Sequence, residues 1–490
     1  MYKVFKQIGK DTFILTIGSI STKALGFILL PLYTRTFSVS EYGTIEIVNI
    51  VAEMAGILMA LGMPSAFNRE FLQISDTEEQ RKETLSTSFL FISVFSFFVM
   101  VIAIAFSGKL AFCLNLNNSI VPSLFRLIFI KTFFLTFGII TLRYMIVTGK
   151  MTAYAFLSFL WAAFAIMVSI WVLLIQKKGL YELYLYQTIL AASFGIGYSI
   201  FLFHRAGFQW SGQRLIRMLH FALPMVPAAI SFYIMTSSDR FFLQKLTSTA
   251  DVGIYGVAYR IGLLSQMLIV IPLTTSISPT IYRIAKREDS GIIIQRLFEI
   301  TCFIFIASAV GLSLASPYLV RLLAPAPYWS ASSVVIWISV AYALYGLNFV
   351  LVAGINISGK SYYQTIAIAI AAGLNLILNS LLIPHWGIMG AAIATTIAYF
   401  IQTLLTGLFA QHLYLIPYRF IRTSVIAFII FLSYWILNLI PVEPLAITII
   451  TKFLFFLLIL SITSIIFFKK EVLAVWNKIR HILVLRSSKG

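Results

Sequence analysis

The chain has 490 residues, of which 60% are hydrophobic and only 11% are charged, with a formal net charge of +19. Soluble chains carry about 25% charged residues, so this chain cannot cover its apolar side chains with a polar surface and must use lipid as a solvent. Composition therefore excludes soluble domains and predicts an all-α polytopic membrane protein. The basic residues are spread over short loops rather than clustered beside aromatic residues, which argues against nucleic acid as a partner.

Apolar runs long enough to cross a bilayer follow one another along the whole chain. A spanning helix needs about 20 mainly apolar residues, and runs of that length, separated by turns or charges, predict about fourteen transmembrane helices. The predicted spans are 12–34, 43–62, 85–106, 120–141, 152–174, 181–203, 219–243, 252–275, 293–316, 330–353, 362–383, 387–410, 420–440 and 445–468.

Lys and Arg residues are distributed unevenly between the loops on the two sides of the predicted helices. If both termini lie on one side, the loops on that side hold about four times as many basic residues as the opposite loops. Since basic loops stay in the cytoplasm, we expect a multi-pass protein of the cell inner membrane with both termini cytoplasmic. The basic segment 469–490 has an apolar helical face, so it either lies flat on the anionic inner leaflet or forms a solvated tail.

A short pattern occurs twice, after the first span and after the seventh. Each copy has a basic residue, a serine, an acidic residue and a glycine at the same spacing: Arg35, Ser38, Glu41 and Gly43, then Lys245, Ser248, Asp251 and Gly253. A serine followed three positions later by an acidic residue is also a helix capping box, so the pattern indicates duplication rather than chemistry. Transporters often consist of two related bundles. The repeat predicts two pseudo-symmetric six-helix bundles, 1–203 and 204–410, followed by two C-terminal helices in 411–468 and the tail 469–490.

Charged residues inside the predicted spans are the strongest indication of function. An ionisable side chain at mid-membrane costs about 2.5–3.5 kcal/mol on insertion scales, so it usually faces an aqueous cavity or a partner. The basic candidates for substrate binding are Lys23, Arg126, Lys131, Arg240 and Arg260. They exceed what the acidic residues of these spans can neutralise. The pattern therefore favours a cavity of net positive charge, which would suit a phosphate or pyrophosphate.

The acidic residues within the spans are candidates for coupling transport to an ion. They are Glu46, Glu53 and Asp239. Glu46 and Glu53 are seven positions apart and share one helical face, where either could pair with Lys23 of the neighbouring helix. Two interpretations remain open. The charges either line an aqueous cavity or pair with one another, with Asp239 and Arg240 near the outer surface.

Neutral polar residues form stripes on two further spans. Gln364, Asn375 and Asn379 share one face of the span 362–383, and Thr395, Tyr399 and Gln402 share one face of the span 387–410. Such residues can hydrogen-bond a sugar chain, but more often they join helices to each other. We expect the second role.

One nucleotide-binding pattern matches by accident. Residues 354–361 satisfy GxxxxGK[ST], but a P-loop follows a strand, and here a predicted spanning helix precedes the match. Cys113 and Cys302 lie in different segments, the histidines are scattered, and the sequence has no HExxH or GxSxG motif. We therefore expect no enzyme and no metal or cofactor, and transport of a solute is favoured over catalysis.

Several motifs resemble those of the polysaccharide or O-antigen flippases, a family whose superfamily includes multidrug and toxin extrusion transporters and lipid II flippases. The similarity covers nearly the whole chain. It rests on the segments 29–35 (LLPLYTR), 41–43 (EYG), 238–241 (SDRF), 252–255 (VGIY), 359–361 (GKS), 375–379 (NLILN) and 387–395 (GIMGAAIAT).

The resemblance implies a multidrug-and-toxin-extrusion-like fold and a lipid-linked substrate. That substrate is an oligosaccharide repeat unit on undecaprenyl pyrophosphate, moved from the inner to the outer leaflet for surface polysaccharide synthesis, including the O-antigen of lipopolysaccharide. Transport would proceed by alternating access, driven by a proton or sodium gradient. The resemblance also implies contacts with membrane lipids, a polysaccharide polymerase and a chain-length regulator.

Other functions of membrane proteins remain alternatives. A cation-coupled multidrug exporter handles mostly cationic compounds and would require a net acidic cavity. A membrane-embedded glycosyltransferase or polymerase usually has a long outer loop, whereas every outer loop predicted here is shorter than about 20 residues. A lipid II flippase is the alternative that the sequence separates least from the oligosaccharide flippase.

Overall fold

A computed structural model of the protein describes residues 26–116, 118–285, 287–439, 448 and 450–469. Almost all of these residues are helical, and none of them is in a strand. The all-α architecture predicted from the sequence is therefore confirmed. Most of the predicted first span, including Lys23, and residues 470–490 of the predicted tail lie outside the described residues.

Long apolar helices make up the membrane part of the protein. The first described helix, α1 (Leu30–Thr36), is short. Twelve helices of the described residues are long and apolar enough to cross a membrane. They are α2 (Val39–Ile74), α3 (Glu78–Ala105), α4 (Val121–Val147), α5 (Met151–Ile175), α6 (Leu180–Ala206), α7 (Gly212–Leu246), α8 (Thr249–Thr275), α9 (Ser290–Leu323), α10 (Ala326–Ile357), α11 (Tyr362–Leu413), α12 (Phe420–Asn438) and α13 (Ile450–Lys469).

Two of the long helices contain a break in their backbone. Helix α11 holds both predicted spans 362–383 and 387–410, which meet at Gly387, where φ is +51° and ψ is −128°. Helix α2 is interrupted at Leu61 and Gly62, whose φ angles are +44° and +70°. One helix in the list can therefore supply two membrane crossings, which brings the structure close to the predicted number of spans.

The P-loop-like residues 354–361 form a turn between two helices. Ala353–Ile357 is helical, Gly359 adopts a φ of +73°, and α11 begins at Tyr362. The strand that a P-loop requires is therefore replaced by a helix, as predicted.

The helices form two compact units, and the first contains residues 1–260, 322–334 and 362–402. In its described part, α2, α3 and α6 pack against α4. Buried aromatic and aliphatic side chains, among them Phe67, Phe89 and Ile140, fill the space between these helices. Because the chain is apolar along these faces, helix packing and not loop structure holds this unit together.

A buried ion network lies at the end of this unit where α7 begins. Arg214 donates from Nη1 to Oε1 of Glu70 at 3.2 Å and from Nε to Oε2 of Glu83 at 2.7 Å. Arg217 donates to the same Glu70 oxygen at 2.7 Å. The network ties the first turn of α7 to α2 and α3. The sequence does not indicate this network, because Arg214 and Arg217 lie in a predicted loop and their partners are on other helices.

The second unit contains residues 261–321, 335–361 and 403–490. The described part of its core includes Phe305, Ile336 and Ile430. Glu299 of α9 is completely buried, and it accepts a hydrogen bond from Nη1 of Arg296 at 2.6 Å. Glu299 lies inside the predicted span 293–316 but is not among the charged residues that the sequence predicts as functional. The predicted division into bundles 1–203 and 204–410 with two added helices stays a prediction.

Candidate functional site

Helices α2 and α8 touch through their backbones near their first turns. Gly43 of α2 faces Gly253 of α8, and a Cβ atom added to either glycine would lie 3.1 Å from the amide nitrogen of the other. The same Cβ atoms would overlap backbone carbonyl oxygens of the opposite helix, Thr249 O for Gly43 and Val39 O for Gly253. Only a residue without a side chain permits this approach. We refer to it as the glycine contact.

The glycine contact follows the spacing of the sequence repeat. Gly43 corresponds to Gly253 in the repeat, and Val39 corresponds to Thr249 at the same offset. Each half of the contact therefore reproduces the other half, which is the property of a two-fold interface. The repeat thus marks a local pseudo-two-fold axis between α2 and α8.

The serine and acidic positions of the repeat are helix caps. Ser38 Oγ accepts a hydrogen bond from the Glu41 amide at 3.3 Å, and Glu41 accepts one from the Ser38 amide at 2.9 Å. In the second copy, Ser248 Oγ accepts from the Asp251 amide at 3.1 Å. These bonds satisfy amides that a helix start leaves unpaired. The capping interpretation is confirmed.

An ion pair joins the same two helices deeper in the membrane part. Arg260 of α8 donates from Nε at 3.0 Å and from Nη2 at 2.6 Å, and both bonds end on Oε1 of Glu46 in α2. Its Nη1 donates to the carbonyl oxygen of Gly26 at 2.6 Å. The side chains are 10% exposed for Glu46 and 19% for Arg260. The partner that the structure gives Glu46 is therefore Arg260, whereas the sequence analysis considered Lys23.

Two glycines leave the space that this ion pair occupies. A Cβ atom on Gly256 of α8 would lie 2.7 Å from Cγ of Glu46. A Cβ atom on Gly26 would lie 2.5 Å from Nη1 of Arg260. Both distances are far below van der Waals contact, so any larger residue would displace one member of the pair. Sequence reasoning missed both glycines because their role depends on the neighbouring helix.

A second buried pair lies in α7. Asp239 and Arg240 are 1% and 4% exposed, so both side chains are buried inside the protein. Arg240 Nη1 donates to Oδ1 of Asp239 at 3.0 Å, and its guanidinium lies over the Tyr259 ring at 3.5 Å. Oδ2 of Asp239 accepts from the Tyr255 hydroxyl at 2.6 Å and from Thr395 Oγ1 at 3.4 Å. The carboxylate therefore joins α7, α8 and α11.

Neutral polar side chains extend from this carboxylate into α11. Ser238 donates to Oδ1 of Asn375 at 2.9 Å and accepts from Nδ2 of Asn379 at 3.3 Å. The predicted role of this stripe in joining helices is confirmed for both asparagines. Among the described residues, however, Oδ1 of Asn379 and Nδ2 of Asn375 have no hydrogen-bond partner although both are buried. Unpaired amide groups of this kind are costly and can accept a small ligand.

Lys131 of α4 lies in a separate polar cluster. Its Nζ donates to Oε1 of Gln187 at 2.7 Å, and Nε2 of Gln187 lies 3.2 Å from the Tyr33 hydroxyl and 3.3 Å from Ser169 Oγ. No described carboxylate forms an ion pair with Lys131, whereas Arg240 and Arg260 each have one. Of the three buried or half-buried candidates Lys131, Arg240 and Arg260, Lys131 is therefore the one without an ion pair to a described carboxylate.

The remaining predicted site residues are not joined to these pairs. Arg126 is exposed near the start of α4 and donates from Nε to Ser107 Oγ at 3.3 Å. Glu53 is exposed on α2 and forms no ion pair with any residue that the structure describes. It nevertheless lies within electrostatic range of Arg240 and Arg260.

The arrangement of helices matches solved membrane transporters. The chain superimposes on the structure titled lipid II flippase MurJ, inward closed conformation, with a TM-score of 0.77 and 17% identity, over 94% of this chain and 100% of that one. It matches an inward-facing multidrug resistance MATE family transporter with a TM-score of 0.63 and 14% identity, over 84% of this chain and 98% of that one. At these identities the comparison defines the fold, which is that of MurJ-like and MATE-like transporters.

The sequence comparisons identify the family. The profile of the family described as polysaccharide biosynthesis protein matches residues 8–285, more than half of the chain. A relative in Haemophilus influenzae, named "Lsg locus putative protein 1", is 21% identical over 306 residues, which is 61% of this chain and 72% of the relative. The chain therefore belongs to the polysaccharide biosynthesis protein family, as the motifs in the sequence indicated.

Proposed function

We propose that the protein is a flippase that moves undecaprenyl-pyrophosphate-linked oligosaccharide repeat units from the inner to the outer leaflet by alternating access. The observation that carries the proposal is Arg260, a guanidinium held between α2 and α8 inside the membrane part of a polysaccharide biosynthesis protein. A guanidinium is suited to bind the phosphate groups of such a lipid. Arg240, Lys131, Arg126 and Lys23 are further candidates for contact with the anionic substrate.

The orientation that we propose follows the distribution of basic loops. With both termini cytoplasmic, the first residues of α2 and α8 and the last residues of α7 lie at the outer face. At a rise of 1.5 Å per residue, Glu46 then lies about 10 Å and Arg260 about 16 Å from these helix ends. The glycine contact and both buried ion pairs therefore belong to the outer half of the membrane. Contact between α2 and α8 there would block exit to the outer leaflet.

Ion coupling is proposed at Asp239, with Glu46 and Glu53 as further candidates. Asp239 is a buried carboxylate next to the hydroxyls of Tyr255 and Thr395. Nearby, Asn379 donates from Nδ2 to the hydroxyl of Ser238, the residue before Asp239. The amide oxygen of Asn379 has no hydrogen-bond partner among the described residues. This carboxylate carries a guanidinium on one oxygen and two hydroxyls on the other, so we expect it to take up a proton or a sodium ion when Arg240 releases it.

A lipid II flippase is the second candidate, because a structure of that title has the higher TM-score of the two reported above. The test is deletion of the gene, followed by measurement of surface polysaccharide and of lipid-linked repeat units in the inner leaflet. Loss of polysaccharide with accumulated repeat units in growing cells supports the proposed function. A lethal block in cell-wall synthesis supports the lipid II alternative, and intact polysaccharide with new drug sensitivity supports a multidrug exporter.

The proposed function also defines the expected surroundings of the protein. We place it in the inner membrane, where the pyrophosphate would contact the polar site while the undecaprenyl chain remains among lipids. A polysaccharide polymerase and a chain-length regulator would use the units that it delivers. Pull-down of either protein with this chain from solubilised membranes would test these partners.

A further inference from the structure

We propose that Glu46 is an internal substitute for the phosphate groups of the substrate. Glu46 occupies Arg260 while α2 and α8 are in contact, and a bound pyrophosphate displaces it, which allows the two helices to separate. The inference rests on the proposed function, because it needs an anionic substrate that reaches Arg260. It adds to that function a specific gating role for one acidic residue.

The geometry of the pair favours exchange of Glu46 for a larger anion. Two nitrogens of Arg260 converge on one oxygen, Oε1 of Glu46, at 3.0 and 2.6 Å. The planar guanidinium is best satisfied when two parallel bonds end on two different oxygens. A phosphate group offers three oxygens and more negative charge than a carboxylate, so it can satisfy Arg260 better than Glu46 does in this arrangement.

The pair also lies where it can control the contact between the helices. Glu46 comes three residues after Gly43 in α2, about 4.5 Å along the helix axis, and Arg260 comes seven residues after Gly253 in α8, about 10 Å along it. Backbone atoms of the two helices touch at the glycine contact. The bond between Glu46 and Arg260 therefore stabilises the contact between α2 and α8 that the two glycines make possible. Loss of this bond would weaken the contact.

Two glycines next to the ion pair leave room for the bond between Glu46 and Arg260. Gly256 lies against Cγ of Glu46, and Gly26 lies against Nη1 of Arg260. An alanine at position 256 would push the Glu46 side chain away without changing any charge. Gly256→Ala therefore separates the role of the bond from the role of the charges. Gly373→Ala is its matched control, because a Cβ atom at position 373 of α11 meets no other atom within 4 Å.

The experiment measures the distance between α2 and α8 in the full chain reconstituted in lipid nanodiscs. Ser40→Cys places one spin label on α2, and Thr247→Cys places the other in the turn between α7 and α8, two residues before α8 begins; both residues are exposed, and the native cysteines are replaced by Cys113→Ser and Cys302→Ala. The probes are undecaprenyl pyrophosphate, inorganic pyrophosphate, and undecaprenol, which has the same chain without charge. Each is added to the protein and to its Glu46→Gln and Gly256→Ala variants.

We expect the unmodified pair to give mainly short distances, and undecaprenyl pyrophosphate, but not undecaprenol, to shift them to longer ones. Glu46→Gln and Gly256→Ala should lower the ratio of short to long distances about tenfold without any ligand, because a charge-assisted bond is lost. Gly373→Ala should leave the ratio unchanged. Inorganic pyrophosphate that acts like the lipid would show that the phosphates alone are sufficient.

Two results would overturn the inference. If Glu46→Gln keeps the short distances and responds to undecaprenyl pyrophosphate as the unmodified protein does, Glu46 has no gating role. If the protein stays closed with undecaprenyl pyrophosphate while Glu46→Gln is open, displacement by phosphate is wrong. Neither result decides the proposed function, which depends on the polysaccharide and lipid-linked units of the deletion strain.

Discussion

The glycine contact gives the sharpest prediction about transport. In Gly43→Ala, the new Cβ atom would overlap the Thr249 carbonyl and would lie 3.1 Å from the amide nitrogen of Gly253. These are backbone atoms, so no side-chain rotation can relieve the overlap. The Cβ atom would lie 1.8 Å from the Thr249 oxygen, so α2 and α8 must move apart by about 1.5 Å to reach an ordinary contact distance. Overpacking of this kind costs about 1–3 kcal/mol, which disfavours the closed form by a factor of about 5 to 150.

The assay is export of surface polysaccharide by variants expressed in the deletion strain, with the amount of protein in the membrane measured in parallel. We expect Gly43→Ala and Gly253→Ala each to reduce export severalfold at normal abundance. Because both residues belong to one contact, the double variant should lose less than the two single losses combined. Gly197→Ala is the control, since a Cβ atom at position 197 of α6 meets no atom within 4 Å.

Normal export by Gly43→Ala, together with normal export by the double variant, would refute this reasoning. It would mean that α2 and α8 need not approach as closely as the structure shows during transport. A loss of membrane abundance in both variants would instead assign the glycines to folding. Gly43→Leu gives a stronger perturbation at the same position, and it should reduce export further if closure is limiting.

The remaining predictions concern the buried charges. Arg260→Ala should abolish export while the abundance of the protein in the membrane stays unchanged, and normal export in that variant would remove Arg260 from the substrate site. Asp239→Asn should weaken the dependence of transport on a proton or sodium gradient in proteoliposomes, because a neutral amide replaces the carboxylate. Unaltered dependence would mean that Asp239 has only a structural role. Glu70→Gln should destabilise the protein by about 1–3 kcal/mol, because the buried Arg214 loses one of its two carboxylate partners and keeps Glu83. A melting temperature equal to that of the unmodified protein in the same detergent would contradict this estimate for Glu70.

Much of the fold could be predicted because apolar runs are local features of the chain. The spans 85–106 and 120–141 lie within the helices Glu78–Ala105 and Val121–Val147 almost throughout. The boundary between the predicted spans 362–383 and 387–410 is a backbone break at Gly387, whose φ of +51° and ψ of −128° are not helical. Such boundaries depend on how the polypeptide turns at the membrane surface, which hydropathy does not report.

The candidate site could be predicted only in part. The sequence identified Glu46, Asp239, Arg240 and Arg260 as unusual because a charge in an apolar run is costly wherever its helix packs. It did not identify Arg260 as the partner of Glu46. That pairing depends on the rotation of α2 and α8 about their axes and on the small size of Gly256. Neither property can be read from a single apolar run.

The sequence by itself determined the class of protein, the apolar helices long enough to cross a membrane and the short repeat that contains Gly43 and Gly253. These properties follow from transfer free energies and residue spacing, which add up along one chain segment at a time. The tertiary structure decided which charges neutralise one another and which glycines touch. Such contacts join residues from different helices. Charged side chains pair only where packing brings them within hydrogen-bonding distance, and glycines touch only where two helix backbones lie too close for a side chain between them.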